Sequence, residues 1–178
     1  SLTRVTVPAG SKGGGSMFAG CTALTKVTLE NGLKTLPPNM FSGCTALASI
    51  TIPGSVTAIG PGCFSDCTGL TTIVLPDTVT DIKPRAFAGC AGLRGIFLPA
   101  GMETIGSDAF AGCSELQAIY VPGSVTSIAP GCFDDCAGLV YIFYEGSFEQ
   151  WNALYSGYIT PFTLAICLDG NYYHGAQG

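Results

Sequence analysis

The sequence predicts a repeat solenoid: about six to seven 23-residue coils of short stacked parallel strands and tight turns, followed by a C-terminal cap. Three observations predict it. Phenylalanine recurs at Phe18, Phe41, Phe64, Phe87, Phe110 and Phe133, each one constant period after the last. Cysteine follows three positions later, at Cys21, Cys44, Cys67, Cys90, Cys113 and Cys136, and leucine three beyond that, at Leu24, Leu47, Leu70, Leu93, Leu116 and Leu139. Two more apolar columns keep the same phase: Val27, Ile50, Ile73, Ile96, Ile119 and Ile142, then Leu29, Ile52, Leu75, Leu98, Val121 and Tyr144. A single coil cannot bury its own apolar side. Stacked coils can, because each offers the same residue at the same height to its neighbour.

The first coil is irregular. Residues 9–16 hold Gly and Ser where later coils carry a Val/Ile pair, and the coil is one residue short. Ser11 to Ser16 is expected to be a flexible loop at a poorly capped N-terminal edge. Residues 64–86 show the regular unit. Phe64-x-x-Cys67-x-x-Leu70 places an apolar residue at every third position, which predicts a tight 3₁₀-like turn with one side inward. Ile73-Val74-Leu75 alternates as a short strand. Pro76 ends it, because proline has no N–H for a ladder; Pro53, Pro99 and Pro122 are its equivalents, while Glu30 stands at that place in an earlier coil. Val79 and Ile82 add a second apolar pair, repeated as Val56/Ile59, Met102/Ile105 and Val125/Ile128. Strands at ~4.8 Å spacing give a stack roughly 30 Å long, with turns on the side opposite the strands.

Residues 1–144 are therefore assigned to repeats and 145–178 to a capping segment. Ser147-x-x-Gln150 has the form of a capping box opening a short helix, with Phe148, Trp151, Leu154 and Tyr155 on one face. Phe148 and Trp151 are read as the cover over the end of the core. Residues 162–167 and Tyr172-Tyr173 read as strands around an Asp169-Gly170 turn. A Trp/Tyr platform for carbohydrate is the alternative use of this tail.

Composition excludes several functions. Only 11% of residues are charged, Lys and Arg number seven, and the formal net charge is -5. So few cations cannot assemble a phosphate-binding patch, so nucleic acid is not an expected partner. Apolar runs are short and broken by Gly, Pro and Asp, which argues against membrane insertion. The missing initiator Met and signal segment read as a trimmed or processed chain.

No catalytic, metal or cofactor site is expected. The nine cysteines include no close Cys-x-x-Cys pair, and the single histidine, His174, lies four residues from the end. The ladder cysteines Cys44, Cys67, Cys90, Cys113 and Cys136 read as buried free thiols stacked beside the structural column Phe41, Phe64, Phe87, Phe110 and Phe133. Disulfides between neighbouring coils are the alternative. Asp66, Asp77, Asp81, Asp108, Asp134 and Asp135 read as turn and solubility residues at scattered phases of the repeat. Gly13-Gly14-Gly15 lacks the Gly-Lys-Ser/Thr element of a phosphate loop.

The outward strand position is the candidate binding surface. It reads Thr28, Thr51, Val74, Phe97, Tyr120, Phe143, polar at one end and aromatic at the other, with Tyr141 two positions before Phe143. Exposed aromatics are enriched at binding hot spots, so Phe97, Tyr120, Tyr141 and Phe143 are candidate ligand-binding residues. The alternatives are that the tail folds back over them, or that they are simply good strand formers.

The phrase Phe-x-x-Cys-x-x-Leu followed by Leu-x-x-Ile-x-Leu-Pro resembles the BspA-like, or Treponema pallidum-type, leucine-rich repeats over residues 1 to about 144. Tyr144-Glu-Gly-Ser-Phe-Glu-Gln-Trp151-Asn resembles the segment that closes many such arrays. The resemblance implies a leucine-rich-repeat right-handed superhelix, and a secreted or cell-surface bacterial protein. It also implies adhesion to a host extracellular or bacterial surface protein. Three functions follow: a non-enzymatic recognition module binding a protein or glycan through the strand face, a structural spacer or stalk, or an accessory domain of a larger surface protein. The aromatic row favours the first.

Overall fold

The computed structural model describes residues 1–11, 14–155 and 163–174, the side chains of 172–174 excepted. Lys12 and Gly13 of the expected loop, residue 162 of the expected tail strand, and the side chains of Tyr172, Tyr173 and His174 lie outside the described residues. The elements in chain order are β1 (Arg4–Val7), β2 (Lys26–Leu29), β3 (Thr35–Leu36), β4 (Ala58–Ile59), β5 (Asp81–Ile82), β6 (Gly95–Phe97), β7 (Thr104–Ile105), β8 (Ala118–Val121), β9 (Ser127–Ile128), β10 (Tyr141–Tyr144), α1 (Phe148–Leu154), β11 (Leu164–Cys167) and β12 (Tyr172–His174). The chain winds as a parallel β-solenoid of about seven turns.

The front of the coils carries the longer strands. β6, β8, β10 and β11 pair in parallel with a shift of one full repeat, as in Phe97↔Tyr120↔Phe143↔Ile166. β1 and β2 pair separately, Arg4↔Lys26, with a shift one residue smaller, which is the short first coil. Between these blocks the ladder thins to one bridge, Thr51↔Val74. Pro53 and Pro76 have no N–H to give the coil behind, but Pro99 and Pro122 hold the same position in the unbroken block, so proline alone does not set the thinning. Where Glu stands instead, the bond forms, from Glu30 N–H to the Val7 carbonyl (3.0 Å) and from Glu145 N–H to the Val121 carbonyl (2.9 Å). Front strands β1, β2, β8, β10 and β11 each have 4 residues, and β6 has 3.

The back of the coils is not only turns, as expected, but a second parallel sheet of two-residue strands in the order β3-β4-β5-β7-β9. Its inward residues Leu36, Ile59, Ile82, Ile105 and Ile128 are the second members of the repeated apolar pairs, all buried. A two-residue strand carries too little alternation to be seen in sequence, so the pair registers as apolar content without direction.

The Phe-x-x-Cys-x-x-Leu stretch is a chain of turns, not a 3₁₀ helix. Cys67 N–H bonds the Phe64 carbonyl (3.1 Å) and Leu70 N–H bonds the Cys67 carbonyl (2.9 Å), the expected i→i−3 pattern. Other N–H groups of this stretch turn away. Gly62, Phe64 and Asp66 donate instead to Pro84, Ala86 and Ala88 of the next coil. Two left-handed residues per coil make this possible. One phase holds Ser16, Asn39, Gly62, Arg85, Asp108 and Gly131; the other, four positions on, holds Gly20, Gly43, Asp66, Gly89, Gly112 and Asp135. Asp66, Asp108 and Asp135 are thus not scattered: they fill two fixed positions that favour Gly, Asn and Asp.

Inside, Phe41, Phe64, Phe87, Phe110 and Phe133 are fully buried and stack at 5.4–6.1 Å with planes within 3–13°. Beside them runs the cysteine column. The thiols of Cys44, Cys67, Cys90, Cys113 and Cys136 each donate to the carbonyl of the Phe one coil behind, at 3.0–3.2 Å. Every thiol points the same way, toward backbone and not toward its neighbour, and all cysteines among the described residues are free. Cysteine suits this column because it is small, apolar and still a donor.

At the end of the stack, Ser147 and Gln150 form the capping box that opens α1. Trp151 is buried, 5.5 Å from the Tyr144 ring and 5.4 Å from Tyr155, which in turn meets Phe133 at 5.6 Å. Phe148 and Leu154 pack half-buried beside them. Carbohydrate could not stack on Trp151 without displacing the cover it provides. The chain then returns as β11, in register one repeat beyond β10, and turns through Asp169-Gly170 into antiparallel β12.

Candidate functional site

Alternation in the strands fixes the direction of each candidate side chain. Ile96, Ile119 and Ile142 face the core, so Phe97, Tyr120 and Phe143 face out, and Tyr141 shares the side of Phe143. The described part of the tail does not fold over this face. β11 joins the sheet edge-on, so Ile166 extends the row by one coil while Phe97 stays 80% exposed, Tyr141 42% and Phe143 41%. Tyr120 is half-buried between its neighbours. The rings of Phe97 and Tyr120 lie 6.2 Å apart, those of Tyr141 and Phe143 5.7 Å apart, and strand register sets Tyr120 opposite Phe143.

A groove of about 400 Å³ runs along the row toward the ends of the strands. Phe97, Tyr120, Phe143, Ile166 and Leu168 supply its apolar surface, and Glu145 is the one charged residue lining it among the described residues. The cap holds Leu168 in place: its N–H donates to the Gly146 carbonyl (3.0 Å), and the adjacent Asp169 carboxylate accepts the Phe148 N–H (3.0 Å). The Phe148 N–H, with others nearby, keeps the Asp169 carboxyl below its ordinary pKa. Glu145 accepts the Gly123 N–H (3.3 Å) and its carboxylate lies near the Tyr120 phenol. Burial against the sheet, and then this carboxylate, push the Tyr120 phenol above its ordinary pKa. On the other side of the row a more polar groove of about 690 Å³ is lined by Arg94, Glu115, Gln117, Ala118 and Tyr141, with Arg94 and Glu115 paired at 3.3 Å. A third, of about 460 Å³, joins Val74 to Phe97 and is rimmed by Asp77.

Sequence reasoning alone does not single out Glu145, Ile166 and Leu168. Their signal is present: each stands one period after an earlier position of the repeat, Pro122, Phe143 and Glu145 respectively, but α1 hides the continuing period. No group of side chains among the described residues is arranged to hold a metal ion. No helix among them is long and apolar enough to cross a membrane.

Coil length, paired parallel sheets and the internal Phe and Cys columns define a solenoid of leucine-rich repeats. Residues 11–140 match the BspA type leucine rich repeat region in six copies, and the chain belongs to that family. Among solved structures it is similar to a leucine-rich repeat protein from Bacteroides ovatus (26% identity, TM-score 0.76, covering 93% of this chain and 45% of that one). It is also similar to the T. pallidum leucine rich repeat protein (31%, TM-score 0.63, covering 79% and 58%). A leucine rich cell surface protein from Faecalibacterium prausnitzii matches at 32% identity and TM-score 0.70, over 86% and 50%. The chain spans about half the length of these relatives. No curated protein matches it significantly. Family and neighbours are repeat proteins of a generally non-enzymatic kind, at least one of them from a cell surface.

Proposed function

We propose that this chain is a non-enzymatic recognition module of a secreted or cell-surface protein, binding a protein or glycan partner through Phe97, Tyr120, Tyr141 and Phe143. In this reading residues 1–144 present the surface and 145–178 cap the stack. One observation carries it: the aromatic half of the strand face is exposed, and the described part of the tail, β11 and β12, packs alongside it rather than over it. Large exposed rings do nothing for the solenoid, whose stability rests on the inward columns, and they reduce solubility unless a partner covers them. A stalk has no use for them.

The test is binding to an array of extracellular-matrix proteins and glycans, with Tyr120→Ser/Phe143→Ser beside the unaltered protein. The expected result is at least one partner bound by the parent and lost by the folded double variant, its fold checked by circular dichroism and Trp151 fluorescence. Binding that survives the double substitution refutes the site. Silence across the array favours the stalk.

A further inference from the structure

We infer that the groove beside the aromatic row takes a protein segment that presents an apolar side chain flanked by lysine or arginine, rather than a sugar chain. The inference rests on the recognition reading above and names its partner.

The lining decides between the two chemistries. A pyranose ring brings several hydroxyl groups, each of which loses water on binding and must find a hydrogen-bond partner. The groove offers almost none. Of its lining side chains, Phe97, Phe143, Ile166 and Leu168 have no polar atom, Tyr144 is buried, and the polar groups left are the Tyr120 phenol and the Glu145 carboxylate. The inward residues beneath the floor, Ile96 and Ile119, are apolar and buried. An apolar side chain loses nothing in such a place, and Leu168, 73% exposed, gains a covering. Groups that satisfy sugars lie instead on the far side of the row, in the Arg94, Glu115 and Gln117 groove.

Charge sets the flanks of the occupant. Among the described residues, Glu145 is the only charged residue on this groove, and Asp77 the only one on the neighbouring groove at Phe97. Arg94, on the far side of the row, is already paired with Glu115. The surface therefore offers carboxylates in the same grooves as aromatic rings, a combination that attracts a cation by charge and, over a ring face, by the ring quadrupole. The net charge of -5 adds a long-range attraction of the same sign.

The test uses defined probes on the whole 178-residue chain. Backbone amide shifts are followed by NMR during titration with acetyl-Gly-Ser-Lys-Phe-Lys-Gly-Ser-amide, with its Glu-Phe-Glu and Lys-Ser-Lys analogues, and with chitohexaose and cellohexaose. The Lys-Phe-Lys peptide is expected to move residues 95–97, 118–120 and 143–145, and to bind at least roughly tenfold tighter than either analogue. Glu145→Gln, which keeps the acceptor for Gly123, is expected to weaken that peptide up to about fivefold and leave the Glu-Phe-Glu peptide no weaker. Equal binding of the Glu-Phe-Glu peptide, or a hexasaccharide moving the same amides while the peptides do not, overturns the inference. If no probe moves these amides but the array partner is still lost in Tyr120→Ser/Phe143→Ser, the inference fails and the recognition reading stands. If the array is silent too, both fail.

Discussion

Raising the pH from about 8 to 10 should unfold this protein, and the buried thiol column is the reason. Burial pushes the thiols of Cys44 and Cys136 up to about 11 and that of Cys67 to about 12. It also raises those of Cys63, Cys90, Cys113 and Cys132. In the unfolded chain the same groups ionise near ~8.5. Since the folded pKa values are the higher ones, their contribution to stability is complete below about pH 8.5 and is lost as pH rises toward the folded values. Each thiol removes about 1.4 kcal/mol per pH unit across that window. Seven together remove on the order of 10 kcal/mol between about pH 9 and 10, as much as a whole domain's usual ~5–15 kcal/mol. The assay is urea unfolding in reducing buffer at about pH 7.5, 8, 8.5 and 9, read by Trp151 fluorescence and kept about one unit below the ordinary tyrosine pKa of ~10. The double variant Cys90→Ala/Cys113→Ala should lower the slope by up to about 2.7 kcal/mol per pH unit. A stability that stays flat from about pH 8 to 9, or a slope the double variant leaves untouched, would refute the reasoning.

Further predictions concern single positions. Phe87→Ala, which removes a fully buried ring stacked at 5.5 and 5.4 Å on its neighbours, should lose ~3–5 kcal/mol in urea melts near neutral pH. Phe97→Ala should stay within ~0.5 kcal/mol of the parent in the same melts, since that ring stands 80% exposed. Arg85→Gly should raise the urea midpoint, by roughly 0.5–1 kcal/mol of stability, because Arg85 holds a left-handed φ of 59° where the same phase elsewhere carries Gly62 and Gly131. Gly60→Ala should lose about 1–3 kcal/mol, because its Cβ would collide with the Leu36 carbonyl and Pro37 backbone of the coil behind, measured as a drop in thermal midpoint.

Much of the fold can be read in the sequence because a solenoid repeats each constraint. Phe64 sees Phe41 below and Phe87 above, so the requirement for a ring recurs in every coil and becomes visible as a column. The features that escape are those whose constraint is not a residue type. The second sheet depends on direction over only two positions, and Ala58, Asp81, Thr104 and Ser127 share no chemistry that would mark a strand. The left-handed phases admit Ser, Asn, Gly, Arg and Asp, a set joined by backbone conformation and invisible as a motif. The candidate surface is half legible for a related reason. Phe97, Tyr120, Tyr141 and Phe143 follow from alternation within strands, whereas Leu168 and Ile166 need knowledge that the chain returns in phase after α1.

The contrast between inward and outward columns bears on what the surface is for. An inward residue is fixed by neighbours on both sides: at 5.4–5.6 Å between rings, a Thr among the Phe column would leave both a void and an unpaired hydroxyl. An outward residue meets solvent and its lateral neighbours, so the solenoid leaves it free to vary. Thr6, Thr28 and Thr51 show that a polar series satisfies the strand face at one end of the same molecule. The change to Phe97, Tyr120 and Phe143 at the other end is therefore not required by the stack. It falls where β6, β8, β10 and β11 pair without a break, which gives the rings their firmest backing. It also falls where the cap brings Leu168 to close one side of the groove. A rigid sheet under the rings and an apolar wall beside them are what a binding surface needs to lose little freedom when a partner arrives. This coincidence supports the proposed recognition role beyond what exposure alone offers.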